Sequence, residues 1–170
     1  SLVPDAGLVP YLERIYSQLV EQYGSGPVAK GQIEVDSTLD LDAQKIVATT
    51  VQKAAAERGL LEVVVVVLDD RSHVRVMYAT DNFVAEEARI DSEEVLKPFR
   101  RWESFKRSLN WSNQITALEL AQGHALVARD GLRYKTQTLL EIRGADGTRI
   151  DRGNDQTEVS LDAQTASQIT

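Results

Sequence analysis

The first sixty residues carry a helical, then an extended, then again a helical pattern of apolar side chains. Apolar residues recur every three or four positions from 8 to 23, and Gly24 follows them, so an amphipathic helix is predicted there. Residues 33–37 alternate apolar and polar side chains, which is typical of a half-buried strand. The glycine, serine and proline residues between the two segments predict a loop.

A second helix is predicted over residues 40–58. Asp40 can cap its amino end, because a carboxylate accepts hydrogen bonds from the first free N–H groups of a helix. Gly59 can end the helix, since glycine adopts the left-handed conformation at little cost. The buried face is expected to contain Val47, Val51, Ala54 and Ala55.

Five consecutive valines at 63–67 form the most apolar segment of the chain. β-Branched side chains favour strands over helices, and a continuous apolar run is typical of a strand buried on both faces. A central strand is therefore expected here. The polar residues 69–72 then lead into an alternating pattern at 74–78, which predicts an antiparallel hairpin.

The second half of the chain predicts two more helices. The first is expected over about residues 92–107. Thr116 and Glu119 form a capping-box pattern, which predicts that the second helix opens there and closes at Gly131. The apolar face of this second helix is expected to contain Leu118, Ala121, Ala125 and Ala128.

A second hairpin and a last helix complete the predicted elements. Residues 134–142 alternate as a single strand would, and Asp146-Gly147 turns the chain into residues 148–151. Ser160 is expected to cap the last helix. The order of these elements predicts an α+β fold, with a mostly antiparallel sheet flanked by helices.

Composition narrows the classes of function. A net charge of −7 disfavours a nucleic-acid partner, which would need a basic surface. The chain has no cysteine and only two histidines, which lie far apart, so the sequence implies no metal site and no cofactor. No apolar run approaches the roughly 20 residues of a membrane span.

Several short segments occur in the order typical of one enzyme family. Ser37-Thr38-Leu39-Asp40 precedes a predicted helix with Ala43-Gln44, and 115–121 followed by 125–131 resembles that family's "TPLELA…AYAVFANGG" helix. Together they resemble the transpeptidase domain of class A penicillin-binding proteins. The remaining segments of this resemblance are 9–24, 65–69 with 74–77, 142–148 and 160–166.

The resemblance implies serine acyl transfer on the D-Ala-D-Ala stems of peptidoglycan. The family uses a Ser-x-x-Lys helix, a Ser-x-Asn motif and a Lys-Thr-Gly strand. Lys97-Pro98-Phe99 matches the family's "KPF", so Lys97 occupies the position of the catalytic lysine, and Ser108 and Asn110 match the Ser-x-Asn motif. The position of the nucleophilic serine is then occupied by Glu94.

Three departures indicate that this chain does not catalyse the reaction. No serine has a lysine three residues later, and Lys97 is separated from Ser108 by only ten residues, where the family has several dozen. Lys135-Thr136 is followed by Gln137 instead of glycine, so we interpret this pair as part of an ordinary strand. Without the flanking segments, Glu94 and Lys97 would be a common helical ion pair.

The resemblance also sets expectations for organisation and partners. Residues 1–31 would form a linking helix and loop, and residues 32–170 a transpeptidase-like domain that lacks central and C-terminal segments. Its partners would be peptidoglycan stem peptides, and β-lactams if the site is complete, outside the cytoplasmic membrane and tethered by a segment not in this chain. The alternatives are a non-catalytic scaffold module of the cell envelope, which could hold another envelope protein, and an unrelated α+β domain.

Overall fold

A computed structural model describes residues 6–60, 62–80, 89–97, 106–107, 109, 111–152, 157–159 and 163–167. A 3₁₀ turn at Ala6–Leu8 precedes the helices α1 (Val9–Tyr23), α2 (Ser25–Ala29), α3 (Leu41–Arg58), α4 (Ser92–Leu96), α5 (Ala117–Ala128) and α6 (Ala163–Ser167). The strands are β1 (Ile33–Ser37), β2 (Val64–Leu68), β3 (Val74–Ala79), β4 (Ile90–Asp91), β5 (Gln114–Ile115), β6 (Leu132–Tyr134), β7 (Leu139–Gly144), β8 (Arg149–Arg152) and β9 (Thr157–Val159).

The named strands pair antiparallel throughout the described part of the chain. One sheet has the order β1-β7-β8, and the pairs β2-β3, β4-β5 and β6-β9 form three further sheets. Helices α1 and α3 pack on β3, and α5 packs on β2. The predicted α+β class, with antiparallel sheets flanked by helices, is therefore confirmed.

The predicted helix ends are confirmed by hydrogen bonds between residues close in sequence. Asp40 Oδ1 accepts from the N–H of Ala43 at 3.0 Å, which caps α3. Gly59 ends that helix with a φ of +65°, a conformation that glycine tolerates best. Thr116 and Glu119 form the complete capping box of α5.

The buried core joins α1, β3 and α5. Its central residues are Tyr11, Val74, Met77, Ala79 and Leu118. The most buried side chain of α3 is polar, however: the Gln44 amide accepts from the N–H of Met77 at 3.1 Å and donates to its carbonyl at 2.9 Å. The predicted stripe of Val47, Val51, Ala54 and Ala55 is only half-buried, and Gln44 is the residue of α3 that is buried against β3.

The expectation that the five-valine strand is buried on both faces is wrong. In the described part of the chain β2 pairs only with β3, and 39% of the Val67 surface is exposed. The deeply buried strand is β3, where Val74, Val76 and Met77 are at most 1% exposed. The helices explain the difference: both α1 and α3 pack on β3, whereas α5 packs on β2.

The predicted single strand at 134–142 is also wrong, because β6 ends at Tyr134 and β7 begins at Leu139. Between them, Gln137 and Thr138 are both buried and form backbone bonds to other elements. The Gln137 carbonyl accepts from Val74 N–H at 2.8 Å, and the Thr138 carbonyl accepts from Thr38 N–H at 2.9 Å. The backbone of this segment therefore bonds to β3 and to the residue after β1, and it does not continue β6 into β7 as one strand.

Two predicted helices differ from the structure in their details. On α5 the deeply buried residues are Leu118, Gly123 and Leu126, while Ala128 is exposed. The helix predicted over 92–107 is present as α4, and most of the remainder lies outside the described residues, as does Ser160. No described helix combines the length and apolar character needed to cross a bilayer.

Candidate functional site

The short helix α4 carries the first predicted site residues. Asp91 Oδ1 accepts from the N–H of Glu93 at 2.8 Å and caps its amino end. Lys97 follows its last turn, with its N–H donating to the carbonyl of Glu93 at 3.0 Å. The side chains of Glu94 and Lys97 are both exposed. Three helical positions separate them, so they lie about 60° apart around the helix axis.

Ser92 is the serine of α4, but its position does not suit a nucleophile. Its side chain is 0% exposed, and its Oγ donates to the carbonyl of Ser112 at 3.1 Å. Five positions separate it from Lys97, which places the two about 140° apart around the helix. Ser92 therefore anchors α4 to the residues just before β5, and its hydroxyl is not exposed as a nucleophile would be.

Ser108 and Asn110, the predicted Ser-x-Asn pair, lie outside the described residues. Leu109 between them is described, and it packs on a cluster whose buried members are Leu96 and Leu126. Leu96 immediately precedes Lys97. Residues adjacent in sequence to both predicted motifs therefore pack in one apolar cluster, while the catalytic roles of Lys97, Ser108 and Asn110 remain predictions.

Sequence reasoning missed a polar groove on another side of the molecule, which we name the Lys135 groove. It consists of two adjoining cavities of about 790 and 480 Å³, which share Gln18, Lys135 and Thr136. The larger is bordered by α1, β7 and β8, and the smaller by α1, α5, β6 and β9. Its residues are scattered over the sequence, so no local motif could reveal it.

Asp151, one of the acidic residues that line the larger cavity, has well-defined hydrogen-bond partners. Asp151 Oδ2 accepts from the Gln22 amide at 2.9 Å, and its Oδ1 accepts from the N–H of Arg152 at 2.7 Å. These bonds, with the Gln22 bond the stronger influence, hold the pKa of Asp151 below its usual value. The carboxylate therefore connects β8 to the end of α1.

The turn between β2 and β3 contains a third polar cluster. Asp69 accepts from the N–H groups of His73 and Arg71, and its Oδ2 lies 2.9 Å from His73 Nδ1. Burial works against the charged form, but these hydrogen bonds outweigh it and lower the pKa of Asp69. Arg129 donates to Ser72 Oγ at 2.8 Å and to the Asp69 carbonyl at 2.7 Å, which fixes the turn to α5.

Metal chemistry finds no support in these clusters. Among the residues that the structure describes, no group of three or more histidine and acidic side chains is arranged to hold a metal ion.

Comparison with solved structures identifies proteins of similar fold. PonA1 of Mycobacterium tuberculosis, a penicillin-binding protein, matches with a TM-score of 0.67 and 12% identity over 96% of this chain and 69% of its own. Its complex with penicillin V matches with the same TM-score and identity, over 70% of that chain. Penicillin-binding protein 3 of the same organism matches with a TM-score of 0.60 and 15% identity, over 79% of this chain and 56% of its own.

Sequence comparison alone does not find these relationships. No family model matches the chain. No curated protein sequence matches it either. The solved structures show the fold: the chain has the fold of penicillin-binding proteins.

Proposed function

We propose that this chain is a transpeptidase-type domain of a peptidoglycan-synthesising penicillin-binding protein, and that with its present sequence it does not form an acyl-enzyme. The observation that carries the proposal is α4, in a chain with the fold of PonA1. The resemblance places the nucleophile at 94, where an exposed glutamate stands, and the serine of the same helix is buried.

The chemistry of position 94 supports the lack of acyl transfer. A serine hydroxyl attacks the carbonyl of the stem peptide and gives an ester, after a neighbouring base has removed its proton. Attack by the Glu94 carboxylate would give a mixed anhydride, which water hydrolyses readily. Lys97 retains the position from which an amine would assist a serine, but it lacks the hydroxyl to act on.

The expected ligands follow from the same proposal. Stem peptides ending in D-Ala-D-Ala would bind without reacting, and β-lactams such as penicillin V, which PonA1 binds, would leave no covalent adduct. The domain would work outside the cytoplasmic membrane, attached through a segment not in this chain. Residues 1–31 would lead into the domain, with α1 packed on its core, and residues 32–170 would form the transpeptidase-like part.

Labelling with a fluorescent penicillin tests the proposal directly. The protein is incubated with the reagent, and its intact mass is measured, with PonA1 as the positive control. We expect PonA1 to gain the mass of one penicillin and this chain to gain none. A covalent adduct would refute the proposal, and peptide mapping would locate the nucleophile.

A second candidate function is a non-catalytic scaffold of the cell envelope. It is favoured by the intact core: Tyr11 and Gln44 connect α1 and α3 to β3 although the nucleophile is absent. Titration with muropeptides distinguishes a domain that holds peptidoglycan from a scaffold that holds another envelope protein. Saturable binding without an adduct would support a module that holds peptidoglycan. If no muropeptide binds, the scaffold would instead hold a protein partner.

A further inference from the structure

The smaller cavity of the Lys135 groove has a positively charged lining. Arg14 of α1, Arg133 of β6 and Lys135 line it, and none of the described residues that line it is acidic. The whole chain has 26 acidic and 19 basic residues, so this lining is opposite in sign to the protein.

The neutral walls of this cavity are held in place by hydrogen bonds. The Gln122 amide on α5 donates to Thr136 Oγ1, which fixes both side chains. Thr138 Oγ1 donates to Gln18 Oε1, which orients the amide that α1 contributes to both cavities. The ring of Tyr134 is held from one side by Arg129, whose guanidinium carbon lies 5.2 Å from the ring centre. The cavity is therefore shaped before any ligand arrives.

Lys135 has the properties of a direct ligand contact. It lines both cavities, its side chain is exposed, and within the described part of the chain it makes no hydrogen bond or ion pair. Arg133 differs, because its side chain already has an interaction partner within the protein. Arg14 is half-buried on α1, has an interaction partner within the protein, and lines the same cavity as Lys135.

We propose that the smaller cavity binds an oxyanion, the carboxylate or phosphate group of a small-molecule ligand. Lys135 would contact the anion directly, and Arg14 would add a second charge-assisted contact. A volume of about 480 Å³ is within the range of small-molecule sites, roughly 300–1,000 Å³. The site is separate from α4 and does not depend on acyl transfer.

Titration calorimetry of the full chain tests this proposal with inorganic phosphate and with citrate at constant ionic strength. We expect saturable binding of at least one of them. Lys135→Gln should weaken that binding about three- to ten-fold, the effect of losing one partly solvated ion pair. Lys135→Arg should retain it to within about two-fold, because the positive charge remains.

Lys45→Gln is the matched control, since Lys45 is exposed on α3 and does not line either cavity. This variant loses the same charge and should bind as the wild type does. Preference for phosphate or for citrate would identify which acidic group the ligand carries, and either result supports the site. Failure of both anions to bind saturably, or equal weakening by Lys45→Gln and Lys135→Gln, would overturn the proposal.

Discussion

The hydroxyl of Tyr11 offers a measurable test of how α1 is held to the rest of the fold. The side chain is 0% exposed, and its OH lies 3.0 Å from Thr38 Oγ1 and 3.1 Å from the carbonyl of Thr138. Thr38 Oγ1 itself donates to the carbonyl of Val74 at 2.8 Å. A single hydroxyl thus joins α1 to residues that follow β1 and precede β7, and through Thr38 to β3.

The expected cost of Tyr11→Phe follows from the partners that remain. The Thr138 carbonyl still accepts from the N–H of Thr38, so no buried acceptor loses its last partner. The free energy of unfolding should therefore fall by about 1 kcal/mol, the net value of one hydrogen bond. Tyr11→Ala also removes the ring from the core and should cost about 3–5 kcal/mol.

Urea denaturation of the variants measures these changes. Tyr16→Phe is the matched control, because Tyr16 is on the same helix but 53% exposed, and it should change the unfolding free energy by less than about 0.5 kcal/mol. A Tyr11→Phe variant as stable as the control would refute the hydrogen-bond argument. Tyr11→Ala with wild-type stability would show that α1 does not belong to the core.

Three further predictions concern the turn residues and α4. Asp130→Gly should raise the free energy of unfolding, measured by urea denaturation, by about 0.5–1 kcal/mol. The reason is that Asp130 is exposed and has a φ of +52°, which glycine adopts more easily. A loss of stability would contradict this reasoning. The folded-state pKa of Asp69 lies below its unfolded value. The carboxylate therefore stabilises the folded state above about pH 4, and this stabilisation is lost as the pH falls through the lower folded pKa. Asp69→Asn should therefore reduce the acid sensitivity of thermal unfolding, whereas an unchanged pH profile would refute that role. Glu94→Ser should still form no penicillin adduct by intact mass, because the chain lacks the Lys-Thr-Gly strand that the resemblance requires; labelling would show that the cleft is otherwise complete.

The parts of the fold that could be predicted depend on contacts between neighbours in sequence. Asp40 caps α3 through a residue three positions away, and Thr116 with Glu119 does the same for α5. Such bonds follow from side-chain type and spacing alone. The β2-β3 hairpin was predictable for a similar reason, since a short polar turn joins two segments of strong strand preference.

The wrong predictions concern contacts between residues distant in sequence. The alternation at 134–142 continues across Thr136 and Thr138, yet β6 pairs with β9 and β7 pairs with β1. Between them the backbone of Gln137 bonds to Ser72 and Val74, more than sixty positions earlier. Gln44 would be placed on the surface by its polarity, but its amide matches both backbone groups of Met77. The pattern of hydrophobic residues along the chain gives no information about hydrogen-bond partners that are distant in sequence.

The two candidate sites also differ in whether their residues are close together in the sequence. Lys97 was predicted from a short motif on one helix, and the structure places it after the last turn of α4. The Lys135 groove combines Arg14, Arg133 and Lys135, which the fold brings to one cavity from α1 and from the chain around β6. No spacing rule connects Arg14 with the other two, so only the three-dimensional arrangement reveals them.

The residues that stabilise the fold differ from those of the proposed lost acyl transfer. The fold could therefore persist after the reaction was lost. Tyr11 and Gln44 are buried and bind backbone groups of distant elements, so their replacement would disturb the whole core. Glu94 and Lys97 are exposed at one short helix and do not belong to either buried cluster. A change from serine to glutamate at 94 would therefore cost little stability, within about 0.5 kcal/mol for an exposed position. Folding would not oppose the loss of the nucleophile, and the domain could retain its shape for binding alone.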